Sequence, residues 1–138
     1  MAWPRLTVVR AGAAAARAER PPPVQVFGRR DSADTRKALR FFRERRAELS
    51  FVDLGVRAPA PTELRRFSSR LGAGALLDRD GRAYRQAGLG HMRMTDDEII
   101  DRLAAEPRFL RLPLVRLGAK VVVGPDEHGW ADLLGAEG

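Results

Sequence analysis

Apolar and polar residues fall into a repeating order from Val24 onward. VQVF (residues 24–27) alternates as a short strand does, and GRRDS follows as a polar turn. Residues Ala33 to Arg46 then switch to helical spacing, with Ala38, Leu39, Phe42 and Arg46 in register and Phe41 beside them. Ser32 stands where its hydroxyl can accept from a free amide of the first helical turn. LSFVDL (49–54) predicts a second strand. The resulting β-α-β unit has the length of a right-handed crossover between parallel strands.

The second half is punctuated by Pro and Gly. Pro61 at a first helical position, with Glu63 two residues later, opens a helix whose buried face is Leu64, Phe67 and Leu71; Gly72 and Gly74 end it. Leu76-Leu77 and Ala83 to Ala87 predict one or two short helices around the turn Asp80-Gly81. Thr95-Asp96-Asp97-Glu98 is a capping box: the Thr hydroxyl and the Glu carboxylate each satisfy the other's backbone N–H. The helix it opens turns Ile99, Ile100 and Leu103 inward and stops before Pro107. Leu114–Leu117 and Lys120–Val123 flank Gly118-Ala119 as a β-hairpin, and Asp126–Leu134 forms a last helix carrying Trp130, Leu133 and Leu134. A β-α-β half and a β-β-α half around one mixed sheet, with helices inserted between them, is the plan of a thioredoxin-like α/β fold.

Residues 1–23 stand apart as a basic, Ala/Pro-rich tail, read as partly disordered and closed by Pro21-Pro22-Pro23, which suits neither helix nor sheet. Arg10, Arg17 and Arg20 interrupt the run a secretory signal would need, so the reading is cytoplasmic; an Arg-rich, acid-poor presequence is the alternative for a eukaryotic source. The domain then spans 24–134, with a short tail at 135–138. No stretch approaches the ~20 apolar residues of a membrane span.

Composition sharpens the chemistry mainly by exclusion. The 138 residues hold no cysteine and two histidines, His91 and His128. Disulfides, thiolate catalysis, thiolate zinc sites and iron–sulfur clusters are therefore closed to the chain, and no metal or cofactor is expected. The formal charge is +7. Its excess lies wholly in residues 1–50, while residues 51–138 hold 13 basic and 13 acidic residues. Arginine supplies 23 of the 25 cations, as a GC-rich genome alone would favour, and a pI near 11.2 raises nonspecific affinity for nucleic acid whatever the function.

Several stretches match one family in order. VQVFGRRDSADTRKAL, FVDLGVRAPAPTEL, LGAGALLDRDGRAYRQAGL and TDDEIIDRLAAEPRFLRLPLVRLGAKVVVG resemble the strand–turn–helix opening, second strand, middle stretch and C-terminal half of the glutaredoxin-coupled arsenate reductases and Spx-type regulators. The resemblance covers about residues 24–134. It places Ser32 where the family carries its redox cysteine and Thr35 where the Spx branch carries a second; Arg36 and Lys37 are retained. Of the three arginines with which the reductases hold their oxyanion, the first matches Asp78, the second Leu112, and the third Val123 or Gly124. Arg79 and Arg111 lie one step from the first two positions, and Arg116, on the strand before Val123, is a poor substitute for the third because a shift of register on a strand turns a side chain to the opposite face. The resemblance also implies a cis Leu112–Pro113 bond beside the Ser32 turn.

These positions imply a family member without the catalytic cysteine, working by binding or regulation. On the Spx pattern its partner would be the RNA polymerase α subunit, met by the basic first helix. The alternative is a residual glutathione- or glutaredoxin-linked oxidoreductase or transferase, with glutathione as its only cofactor. Ser32 has no matched histidine to act as its base, and its simplest role is as a cap. Candidate anion or partner contacts are Arg29, Arg30, Ser32, Arg36, Arg40 and Arg43. As an ordinary solvated face, the same helix would pair Arg40 with Glu44.

Overall fold

Period-two burial sets the centre of the molecule. In the first strand, β1 (Val24–Gly28), Val24 and Val26 turn to one face of the sheet and Phe27 to the other, and all three are buried. The structure, a computed structural model, describes residues 22–135; the remainder of the 1–23 tail and residues 136–138 lie outside the described residues. The chain continues through α1 (Ala33–Glu44), β2 (Leu49–Asp53), α2 (Pro61–Leu71), α3 (Arg82–Gln86), α4 (Asp96–Ala105), β3 (Leu114–Leu117), β4 (Lys120–Val123) and α5 (Glu127–Gly135). Short 3-10 turns occupy Ala73–Leu76, Leu89–His91 and Pro107–Phe109. The sheet order is β2-β1-β3-β4, with β1 parallel to β2 and antiparallel to β3. This is the expected mixed sheet of a thioredoxin-like α/β fold, with the helical insertion between its halves.

The sheet separates two apolar clusters. On one face α1 and α5 bring Phe41, Phe42, Trp130 and Leu133 onto Val24, Val26 and Val115, with the Phe41 and Trp130 rings 5.4 Å apart. On the other, α2 and α4 bring Leu64, Phe67, Ile100 and Leu103 onto Phe27 and Leu114, and Phe27 meets Phe67 edge-on at 5.8 Å. Among the described residues, no helix is long and apolar enough to cross a membrane.

Local capping follows the sequence closely. Thr95 accepts from the Glu98 N–H at 3.2 Å, and Glu98 accepts from the Thr95 N–H at 2.9 Å, closing the box at the start of α4. At α2 the cap residue is Ala60, which has no side-chain acceptor. Glu63 reaches back to its N–H at 2.8 Å and takes a two-pronged contact from Arg57 at 2.9 and 2.8 Å. The Arg57 hydrogen bonds hold the Glu63 carboxyl down at a pKa of about 2.

Three expectations are corrected. The first helix ends at Glu44 instead of Arg46, which adopts a left-handed φ of 57° while the Ala47 N–H bonds back to Phe42. The helical spacing of Arg46 continues past the point where the chain must reverse to begin β2. Leu71, assigned to the buried face of α2, is 43% exposed: it occupies the last helical residue, before Gly72 takes φ 84° and leads the chain away. The second strand also stops at Asp53, one residue short of Leu54, which is buried in the loop beyond.

Candidate functional site

The turn between β1 and α1 is assembled from residues that brace one another. Gly28 ends β1 against the side chain of Thr35, so close that a β-carbon at position 28 would overlap it. Thr35 is fully buried, and its hydroxyl accepts from the Arg29 N–H at 3.3 Å. Ser32 is the cap: its hydroxyl oxygen accepts from the Thr35 N–H at 3.2 Å, and its carbonyl accepts from Arg36 at 3.0 Å. Both positions that the family resemblance assigns to redox sulfur are thus occupied by hydroxyls engaged in holding the turn.

Facing this turn is a wall made from two distant segments. Leu77 and Leu110 form an antiparallel bridge; Asp78 donates to the Phe109 carbonyl at 2.9 Å, and Arg111 donates to that of Leu76 at 2.8 Å. The Leu112–Pro113 bond is cis, as expected, and the Pro113 carbonyl accepts from the Gly124 N–H at 2.9 Å. Between turn and wall lies an open cleft of about 390 Å³ lined by Arg29, Ser32, Asp34, Asp78, Arg108 and Arg111, with Leu110, Leu112, Pro107 and Pro125 at its margins.

The cleft has mixed charge. Arg29 is clasped by Asp31 through two contacts of 3.0 Å, which lower the Asp31 carboxyl below its ordinary range and raise the Arg29 guanidinium above its own. Arg108 pairs with Glu106 at 3.2 Å and lies 4.7 Å from the Phe109 ring centre. The hydrogen bond from Arg102, with a second from Arg108, lowers the Glu106 carboxyl. Arg111 lies over Gly124, whose φ of 81° and missing side chain make the room. Asp78 folds over its own turn towards Gly81. Neither His91 nor His128 lines the cleft, so Ser32 has no imidazole there to take its proton.

This geometry separates the neighbouring arginines. Arg111 enters the cleft. Arg79 instead donates to the Tyr84 hydroxyl at 3.2 Å and lines a hollow behind Asp78. Arg116 pairs with Gln25 at 3.3 Å, opposite the start of β1 and away from the Ser32 turn. Arg108 was not singled out from the sequence. Its place after the helix-ending Pro107, in a loop leading to the cis proline, is the signal that could have found it. Of the candidate residues, Arg29 and Ser32 reach the cleft, whereas Arg30, Arg36, Arg40 and Arg43 line a separate groove on the outer face of α1. The Arg40–Glu44 pair expected of a solvated face is not formed; among the described residues Lys37 pairs with Glu127 instead, at 3.9 Å.

Several solved structures share this shape. The YffB protein superimposes with a TM-score of 0.74 at 21% identity, covering 80% of this chain and 98% of its own. The arsenate reductase from Vibrio cholerae gives 0.73 at 17% identity, covering 83% and 99%. An arsenate reductase related protein from Brucella melitensis gives 0.60 at 19%, covering 82% and 95%. No curated protein matches significantly in sequence. The profile of the ArsC family matches residues 27–133, from the last apolar residue of β1 into α5; the chain belongs to the ArsC family.

Proposed function

We propose that the protein is a non-catalytic member of its family, acting in the cytoplasm as a binding or regulatory protein. One observation carries this reading: Ser32 caps α1 and Thr35 is buried as the brace of Gly28, so the two sulfur positions serve structure. A chain without cysteine cannot form the covalent thiol intermediate on which family reduction depends, and a serine without a base is a poor substitute. Asp34 and Asp78, which line the cleft, add negative charge that opposes an inorganic oxyanion further. On the Spx pattern the partner is the RNA polymerase α subunit, approached by the basic face of α1.

A second reading draws on Arg111, which stands in the cleft one residue from the position of a family arginine. On this reading a borrowed thiol such as glutathione supplies the sulfur for a residual glutathione- or glutaredoxin-linked oxidoreductase or transferase. A titration with glutathione, together with turnover assays on arsenate and a disulfide, separates the two. Absence of binding and turnover, with a specific protein retained from the source cell at physiological salt, supports the first reading. Turnover that requires glutathione overturns it.

A further inference from the structure

The groove on the outer face of α1 has the form of a docking site. It holds about 400 Å³, with Leu39 at its floor and Arg30, Arg36, Arg40 and Arg43 along its walls. Arg36, Arg40 and Arg43 follow a four-then-three spacing on one helical face, a row roughly 10 Å long at 1.5 Å per residue. Internal partners neutralise little of it. Arg30 meets Asp53 at 3.2 Å with its side chain still 74% exposed, and Arg36 gives one hydrogen bond of 2.8 Å to the Arg30 carbonyl. Arg40 and Arg43 make no ion pair or side-chain hydrogen bond among the described residues.

We propose that this groove binds an acidic amphipathic helix of a partner protein. The inference rests on the reading of the protein as a binding member of its family, and it names the partner's chemistry. Carboxylates recurring every three or four residues would meet the arginine row, and one apolar side chain between them would reach Leu39. A nucleic-acid strand fits less well. No aromatic side chain lines the groove, and Phe51 is covered by the Arg30 guanidinium 5.2 Å from its ring centre, so there is no platform for a base.

The test uses the full chain and a labelled helix-forming peptide bearing Glu at i, i+4 and i+7 with one Leu among them. Its comparators are the same peptide with Gln for Glu, and a single-stranded DNA of equal charge. Fluorescence anisotropy should show salt-dependent binding of the Glu peptide in preference to both comparators. The R40E/R43E variant should lose more than about tenfold in affinity with an unchanged circular-dichroism spectrum. R65E/R66E, which changes the net charge equally on exposed positions of α2, should retain most of it.

No binding of the Glu peptide, equal loss in both variants, or equal affinity for the DNA would overturn the groove. Glutathione-dependent turnover with peptide binding intact would remove the non-catalytic reading and leave the groove standing. Absence of both turnover and peptide binding would do the reverse.

Discussion

Gly28 and Thr35 are in contact across the β1–α1 turn, the glycine giving up its side-chain space to the threonine. A methyl group at position 28 would overlap both branches of Thr35, which is fully buried and cannot swing aside. Gly28→Ala should therefore destabilise the fold by about 1–3 kcal/mol, the usual cost of overfilling a packed site. Thr35→Ala removes two of the three overlapping atoms, so the double variant should lose less than the sum of the singles. Urea denaturation of the four proteins measures both effects.

Ser32→Ala should cost about 1 kcal/mol, the value of a lost helix cap, because the Thr35 N–H would lose its acceptor. Ser32→Asp should recover much of this, since a carboxylate also caps and favours the helix N-terminus. A nucleophilic role for Ser32 predicts instead that Asp abolishes activity at unchanged stability. Denaturation midpoints for the two variants, with turnover assays alongside, distinguish the roles.

Ser32→Cys should create a reactive thiol with a pKa below the ordinary value of about 8.5, being placed at the N-terminus of α1 near Arg29. Alkylation by iodoacetamide across pH reads that pKa directly. Arsenate reduction should remain negligible in the single variant, because Asp34 and Asp78 still share the cleft with the arginines. Adding Asp78→Arg should raise turnover. Equal turnover with and without that second change would show that Asp78 has no bearing on the oxyanion.

The Arg57–Glu63 contact makes a stability term that depends on acid. Arg57 holds the folded-state Glu63 pKa at about 2, below its ordinary 4.5, so the stabilisation is present above pH 4.5 and is lost as pH falls towards 2. The pair is partly exposed, and about 0.5–1 kcal/mol is expected from it. Glu63→Gln should flatten this part of the pH profile while keeping an acceptor for the Ala60 N–H. Denaturation midpoints between pH 2 and pH 6 test it; an unchanged acid slope in the variant would locate the acid sensitivity elsewhere.

Much of this architecture is legible in the residues because local and tertiary preferences agree. Thr95, Glu98 and Pro107 bound α4 by their own chemistry, and the alternation through β1 sends Val26 and Phe27 to opposite faces. The exceptions have physical causes. Leu71 and Arg46 keep helical spacing at helix ends where no neighbour covers them. The Ser32 cap can be read from its neighbours, but the burial of Thr35 requires Gly28 to be brought alongside by the return of the helix over the strand. The choice between Arg79 and Arg111 likewise depends on the pairing of residues 76–78 with 109–111, a contact that no local pattern encodes.

The two apolar clusters, one on each face of the sheet, give this lineage a particular kind of freedom. Trp130 and Phe42 close one compartment, Phe67 and Leu103 close the other, and the charged residues at the rim contribute to neither. Substitutions at that rim leave both interiors whole. A scaffold built this way can change the chemistry of its rim one side chain at a time while both interiors stay packed.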